Sequence, residues 1–436
     1  MYSIYNPEAE TMPRDKLREL QSERLVKTVK HVYQNVPAYR KKFDEAGVRP
    51  EDIKSVDDLT KLPFTYKQDL RDNYPFGLFA VPMDDIVRIH ASSGTTGKQT
   101  VVGYTRNDLK VWGEVMARTI GAGGVTKKDI GHISYGYGLF TGGLGGHLGS
   151  ETIGCATIPA STGNTARQVT ILVDFKPTFL LCTPSYALTI AEYMAEHGIT
   201  KEQLSLRCGF FGAEPWTRGM QQEIENRLGI ECFDIYGLSE IIGPGVAYEC
   251  QAHEGLHVAE DHFILEVIDP STGKPVPDGE RGELVFTCIT KEALPLIRYR
   301  THDVGYKLPE PCKCGRTHAR ISKILGRSDD MLIIRGVNVF PSQIESVLTT
   351  LEGIAPHYQL LVDRVNNRDA LTVLVEMTED NFTDEVRKIE AMAARVRKEI
   401  ENVLGISVDV RLVAPKTITR FEGKAVRIID KRKLHD

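Results

Sequence analysis

A strand-like run, Ile86-Val87-Arg88-Ile89-His90, empties into the loop Ser92-Ser93-Gly94-Thr95-Thr96-Gly97-Lys98. Glycines let backbone amides approach phosphate oxygens, hydroxyls donate further bonds, and the lysine supplies positive charge. It is not a P-loop: that motif sets four residues between its glycines and Ser or Thr after the lysine. Here Thr95 and Thr96 alone intervene and Gln99 follows Lys98. By itself such a loop reads equally well as a surface turn. A second set is sulfur-rich. Cys312 and Cys314 lie in PCKCGRTH, with Cys250 and His257 at least about 55 residues earlier. Three thiolates and one imidazole suit tetrahedral Zn²⁺ in a structural role. His253 and His318 also lie near cysteines and remain rival fourth ligands; reduced, unliganded cysteines in a surface loop are the plainer alternative. Cys155, Cys182, Cys208, Cys232 and Cys288 sit in apolar runs and read as core.

These groups need elements to position them. Pro13 to about Gly47 is amphipathic, with Leu17, Leu20, Leu25, Val26, Val29, Val32 and Tyr33 at helical spacing. From about 130 to 300, short apolar runs alternate with helical stretches, such as Phe179–Cys182 and Cys208–Phe211 around a helix near Tyr186–His197. That alternation predicts α/β layering. FILEVIDP, a turn, and ELVFTCI then read as an antiparallel pair. A composition break at Gly326-Arg327-Ser328-Asp329-Asp330 precedes about 105 residues that read as strand, helix, two strands, helix and strand. The strands are expected near Leu332–Ile334, Gln359–Val362, Leu371–Val375 and Val408–Val413, and the long helix near Asp384–Val403. The expected fold is a large layered N-terminal domain, 1–328, with β-sheets and helices, and a small α+β C-terminal domain, 329–436.

Composition sets outer bounds. The chain has 436 residues, 54 Lys+Arg against 59 Asp+Glu, and is 41% hydrophobic and 26% charged. That is ordinary globular material with room for two or three domains, which excludes wholesale disorder. A net charge of -5 offers no footprint for nucleic acid. No apolar run approaches the roughly 20 residues of a membrane span, and MYSIYNPEAE lacks the regions of a signal peptide. Eight sparse cysteines fit a cytoplasmic protein with reduced thiols.

SSGTTGK, FGAEP, DIYGLSE, YRTHD, GRSDDMLIIRG and GKAVR, in that order, resemble the adenylate-forming superfamily of acyl-CoA synthetases, adenylation domains and luciferases. YGYGLFTGGLGGHLG, FGAEPW, YGLSEIIGPGVAYEC and RGVNVFPSQIE are similar to its branch that ligates arylacetates. The resemblance implies ATP-dependent ligation of an aryl acid, phenylacetate foremost, to coenzyme A through an acyl-adenylate, with release of pyrophosphate and AMP. It also implies a C-terminal domain that is mobile, rotating between the two steps. A carboxylate is a poor electrophile until it carries a leaving group, and transfer at the α-phosphate needs charge neutralisation by Mg²⁺ and lysine.

Residue by residue, the resemblance makes Lys424 the catalytic lysine that bridges carboxylate and α-phosphate, with Arg427 completing its motif, and Glu240 the Mg²⁺ ligand. Tyr236 would stack on adenine within Asp234-Ile235-Tyr236-Gly237-Leu238-Ser239. Gly212, Ala213, Glu214 and Pro215 would line the adenine edge, mostly through backbone. Asp303 would accept both ribose hydroxyls, and Arg327 would reach the nucleotide. Asp329, with Asp330 as its rival, would be the hinge, and Arg335 and Gly336 the face offered to coenzyme A. The acyl pocket would draw on Tyr135, Tyr137, Phe140, Gly142 and Gly143, rings for aromatic contact and glycines for space. The alternative there is a Gly-rich turn with its aromatics in the main core.

Gln99 replaces the proline usual in the phosphate loop, which would loosen the loop without removing a donor. Two other readings keep the nucleotide: an adenylating enzyme for another aromatic acid or with an amine or carrier-protein acceptor, and a regulator that binds nucleotide without catalysis. No carrier segment is evident, and Glu240 and Lys424, which a non-catalytic regulator would be expected to lack, are both present. A homodimer fits the family, though no interface is legible.

Overall fold

The computed structural model describes residues 2–92, 99–328, 332–335, 337–365, 368–383, 385–421 and 425–432, and the chain divides into two compact units. The first comprises 1–182, 203–213 and 231–323; the second comprises 183–202, 214–230 and 324–436. The helices that follow two sheet strands in sequence thus group with the C-terminal residues.

The first unit is built on a nine-stranded sheet. Ala156–Ile158, Ile130–Ile133, Phe179–Cys182, Cys208–Gly212 and Glu231–Leu238 run parallel in that spatial order, and Gly243–Glu249 then Leu256–Val258 continue antiparallel. Phe179–Cys182 and Cys208–Gly212 are buried at every position, as expected of strands covered on both faces. A smaller antiparallel set pairs Phe263–Ile268 with Gly282–Cys288 and that strand with Tyr299–Gly305, so the expected hairpin is present in register Phe263↔Cys288.

Helix Arg106–Gly121 starts at a capping box of Thr105 and Asp108 and buries Trp112, Val115 and Met116. The Gly-rich helix Thr141–Ile153 lies against it so closely that a Cβ at Gly149 would stand 2.5 Å from the Met116 Cβ. The amphipathic N-terminal stretch is two helices, Arg14–Asn35 and Pro37–Glu45. Pro37 restricts Val36 to an extended conformation, which breaks the run.

The second unit holds a four-stranded sheet in the order Asp409–Val413, Arg368–Met377, Ile354–Val365, Ile428–Asp430. Its central pair is antiparallel and each outer strand is parallel to its neighbour. Helix Val386–Leu404 presents Val396, Ile400 and Leu404, four apart, to a core shared with Leu360, Val362, Val373 and Val375. Ile428–Asp430 and the short strand Val337–Val339 were not anticipated from the sequence. The strand before the phosphate loop is Arg88–Ala91, starting two residues later than expected, although Val87 N–H already donates to the Tyr104 carbonyl at 2.9 Å. Among the described residues no helix is long and apolar enough to cross a membrane.

Candidate functional site

In the first unit several of the residues expected to hold the nucleotide fall into two small groups. Strand Arg88–Ala91 pairs with Val101–Tyr104 through Ala91↔Val101, which brings together the two ends of the loop. Ser93, Gly94, Thr95, Thr96, Gly97 and Lys98 lie outside the described residues. Ser92 and Thr100 clasp its base: Ser92 N–H donates to the Thr100 carbonyl at 3.0 Å, and the Thr100 hydroxyl donates to Ser92 Oγ at 2.6 Å. The Thr100 hydroxyl also reaches Glu240 Oε1 at 3.3 Å, and Lys67 Nζ lies 3.7 Å from the same oxygen. The loop base and the proposed magnesium carboxylate are therefore one cluster.

Tyr236 and Asp303 come together from different sheets. The buried Tyr236 phenol, on Glu231–Leu238, donates to Asp303 Oδ2 at 2.6 Å, on Tyr299–Gly305. The two residues expected to meet adenine and ribose are thus bonded directly to each other. Asp234 lies 3.5 Å from Lys323 Nζ. Gly237 lies on the same strand as Tyr236, where it pairs with Pro244, and the Ser239 hydroxyl bonds Thr141 Oγ1 at 2.9 Å. Gly212 must be glycine, since a Cβ there would stand 2.2 Å from the Ile235 carbonyl. Ala213 adopts a left-handed φ of 71° just after it.

Sequence reasoning missed Lys67, Thr100 and Lys291. Lys291 is fully buried, donates to the Ile241 carbonyl at 2.9 Å and sits 4.5 Å from the Tyr104 ring centre, with burial pulling its ammonium below the ordinary lysine range. It anchors the turn just after Glu240. Thr100 carried a faint signal, a hydroxyl directly after the loop; Lys67 and Lys291 carried none, being remote in sequence.

Of the acyl-pocket residues, Tyr135 is buried and Phe140 is 43% exposed at the start of helix Thr141–Ile153. Tyr137 hydroxyl meets His147 Nδ1 at 3.2 Å. Gly142 and Gly143 lie in the first turn of that helix. A Cβ at Gly143 would stand 2.7 Å from the Gly136 carbonyl, so glycine lets the helix approach the 135–137 segment.

In the second unit, the Glu214 side chain is fully engaged. Oε1 accepts from Ser185 N–H at 2.7 Å and its hydroxyl at 2.5 Å, and Oε2 accepts from Ala425 N–H at 2.9 Å. Pro215 follows it, and Arg327 belongs to the strand pair Gly326–Arg327. Arg335, exposed at a φ of 51°, donates to Ser407 Oγ at 2.8 Å. Asp329, Asp330, Gly336 and Lys424 lie outside the described residues.

The sulfur-rich set is a cluster. Donor atoms of Cys250, His257, Cys312 and Cys314 lie within 4.8 Å of one another and all four residues are buried. Cys314 Sγ lies 3.4 Å from His257 Nε2, and Cys250 and Cys312 sulfurs are 3.8 Å apart. Hydrogen bonds from Cys250 and then His257 pull the Cys314 thiol far down, while Cys250 and Cys312 are pushed up. The other candidate histidines point elsewhere. His253 pairs with Glu231 at 2.9 Å and stacks on Phe233, and His318 Nδ1 meets the Val258 carbonyl at 3.0 Å. Three buried sulfurs and one imidazole at this spacing fit a tetrahedral Zn²⁺.

Two family models match the chain. The family model "AMP-binding enzyme" matches residues 7–288, and "AMP-binding enzyme C-terminal domain" matches 336–432. The chain is 50% identical to phenylacetate-coenzyme A ligase of Thermus thermophilus over 99% of this chain and 100% of that protein. It is 52% identical to phenylacetate-coenzyme A ligase of Escherichia coli K12, over 98% and 97%. A crystal structure of 2-hydroxyisobutyryl-CoA ligase in complex with 2-HIB-AMP is 30% identical and superposes with a TM-score of 0.93, covering 98% of this chain and 92% of that one.

Proposed function

Because the chain belongs to the AMP-binding enzyme family, we propose that it is an AMP-forming acid–thiol ligase that joins phenylacetate to coenzyme A. One observation in the structure carries the reading. The Tyr236–Asp303 pair lies in the same unit as the Ser92–Thr100–Glu240 cluster, so groups suited to a nucleoside and to its phosphates come from one folded body. Near half identity to phenylacetate-coenzyme A ligases over nearly their whole length supports the acid and the acceptor.

In the first step a carboxylate oxygen of the acid bonds the α-phosphorus of ATP, and the bond to the β-phosphate breaks, releasing pyrophosphate. Tyr236 holds the adenine and Asp303 the ribose, so binding energy fixes the α-phosphate in place. The loop amides and Lys98 receive charge from the β- and γ-phosphates, and Lys424 bridges the two reacting groups. Magnesium held by Glu240 would neutralise phosphate charge, a hard cation on a hard oxygen ligand. In the second step the sulfur of coenzyme A bonds the acyl carbon, AMP departs on its phosphate oxygen, and the thiol proton leaves to solvent. Arg335 and Gly336 are assigned to coenzyme A, residues 1–328 and 329–436 to the adenylation and lid domains, and Asp329 to the hinge between them.

The aryl group is assigned to Tyr135, Tyr137 and Phe140. Hydrophobic pockets discriminate weakly over one methylene, so related arylalkyl acids should react at reduced rates. Cys250, His257, Cys312 and Cys314 are assigned to a structural zinc, which the chemistry of ligation does not use. Protein purified without chelator should contain about one zinc per chain by the four-ligand rule; a metal-free, equally stable protein removes the assignment. The proposed setting is cytoplasmic, where ATP and coenzyme A are supplied.

The function is tested by pyrophosphate release from Mg²⁺-ATP with a panel of acids, each with and without coenzyme A. Release that requires phenylacetate and accelerates with coenzyme A is expected. Release with a different acid moves the substrate, and no release with any acid overturns the reading.

A further inference from the structure

Gln168 lies fully buried on helix Thr165–Asp174, outside every group assigned to the reaction. Its side-chain amide can donate twice and accept twice, and all four places are taken. Nε2 donates to the Ser161 carbonyl at 2.8 Å and to the Gly163 carbonyl at 3.0 Å. Carbonyls only accept, so the nitrogen must face them and Oε1 must face the other way. There it accepts from the Ser134 hydroxyl at 2.9 Å and from His132 Nε2 at 2.5 Å.

The two sides of this amide grip different pieces of chain. His132 belongs to strand Ile130–Ile133, and Ser134 leads directly into Tyr135 and Tyr137, to which the aryl group is assigned. Ser161 and Gly163 belong to a bend between strand Ala156–Ile158 and the helix that carries Gln168. That bend lies along the 135–137 segment. Ser161 N–H donates to the Ile133 carbonyl at 3.0 Å, and Tyr137 N–H donates to Ser161 Oγ at 3.4 Å. A Cβ at Gly136 would stand 3.6 Å from Thr162 Cγ2. Ser161, Gly163 and Asn164 all have left-handed φ, at 63°, 88° and 49°. For a residue other than glycine such a conformation persists only where the surroundings over-determine it, and these positions gather at active sites and ligand clamps. From the helix side the bend is held by Gln168 and by Arg167 Nη2, which donates to the Ala160 carbonyl at 3.1 Å.

Moving either piece breaks a buried bond at Gln168, and a buried group left unpaired costs more than the bond itself contributes. We infer that Gln168 is a positioning residue for the acid: it locks the 161–163 bend to Ser134 and so fixes the Tyr135–Tyr137 wall against which the aryl group rests. It acts through Ser134 and Ser161 and contributes no group to the reaction. The inference rests on the ligase reading and on Tyr135 and Tyr137 facing the acid. A wall held at a fixed distance discriminates by length. The property that Gln168 protects is therefore the choice between acids differing by one methylene, worth about 10–200-fold in a hydrophobic pocket.

The test uses the full chain with Gln168→Glu and Ser134→Ala. The first keeps the accepting face but sets an oxygen against the Ser161 and Gly163 carbonyls; the second removes one bond and leaves the amide in place. KM and kcat are measured with phenylacetate and with 3-phenylpropionate, one methylene longer, alongside KM for ATP. Gln168→Glu should raise KM for phenylacetate roughly tenfold, the scale of a modest displacement at a positioned group. It should shrink the kcat/KM preference for phenylacetate by a similar factor and leave KM for ATP unchanged. Ser134→Ala should move the same two quantities in the same direction by less. A ratio between two acids does not depend on how much enzyme is folded, so lost stability alone leaves it in place. If Gln168→Glu does not fold, Ser134→Ala decides. An unaltered acid preference, or KM for ATP rising in step with KM for the acid, would overturn the inference. A wild-type chain that releases pyrophosphate with no acid ends the ligase reading and this inference together, whereas an active wild type with unaltered variants ends this inference alone.

Discussion

A single hydroxyl separates two roles at Tyr236. The ring supplies stacking area, while the phenol fixes Asp303 at 2.6 Å. Tyr236→Phe keeps the ring and should raise KM for ATP roughly tenfold, in line with one lost charge-assisted hydrogen bond of about 1.5 kcal/mol. Tyr236→Ala removes both and should raise it further; an unchanged KM in the alanine variant argues against stacking. Glu240 differs in kind, because its carboxylate neighbours Thr100 and Lys67 rather than a base platform. Glu240→Gln should therefore raise the magnesium concentration needed for half-maximal pyrophosphate release and leave the nucleoside contacts alone. Lys424→Ala should abolish adenylation and spare thioester formation from preformed adenylate, and equal loss of both steps would remove its bridging role.

Elements impose their own tests. Helix Thr141–Ile153 packs through its glycines, and Gly143→Ala would press a methyl against the Gly136 carbonyl at 2.7 Å. The overpacking should cost ~1–3 kcal/mol and lower the melting temperature, with the 135–137 segment displaced. Strand Ile130–Ile133 carries His132, buried and bonded to Gln168, whose pKa burial lowers from 6.5 to about 4. The folded state thus holds it neutral. Stability is fully present above the unfolded value and is lost as pH falls from 6.5 toward 4, by up to about 1.4 kcal/mol for each pH unit. Thermal unfolding across that window should be steeper in pH for the wild type than for His132→Asn, and parallel curves would refute the assignment. Elements of this sort were readable from period and apolar run length: Phe179–Cys182 and the Phe263–Ile268 hairpin lie where expected. Val337–Val339 and Ile428–Asp430 were not, because strands of three residues hold no period and are defined by partners elsewhere in the chain. The same distinction governs the site. Tyr236, Glu240 and Asp303 sit in recognisable local wording, whereas Lys67, Lys291 and Gln168 act through contacts that no local pattern encodes. Glu214 was legible as a site residue but not in its role, since Ala425 meets it from more than two hundred positions away.

Across the molecule, the sulfur cluster does more than close a loop. The Arg316 amide donates to Cys314 Sγ at 3.5 Å, and its guanidinium pairs with the buried carboxylate of Glu10 and donates to the Ser3 carbonyl at 2.8 Å. Tyr248 hydroxyl donates to the same glutamate at 2.8 Å, and Gln251, beside Cys250, accepts from Ser3 N–H. Removing the proposed zinc with a chelator should lower the melting temperature and make the chain cleavable by trypsin at Arg14 and Lys16, exposed on a helix in the folded state, and Cys314→Ser should reproduce both changes. A chelated protein with an unaltered digestion pattern would uncouple the cluster from this arm. The Glu10–Arg316 pair also spans 306 positions of chain. At roughly 5–20 residues per second of synthesis, the first residues made wait about 15–60 s for the arginine that will neutralise them. Until then the Glu10 carboxylate lacks the guanidinium that will neutralise it, so a ribosome carrying most of this chain holds that charge open to solvent.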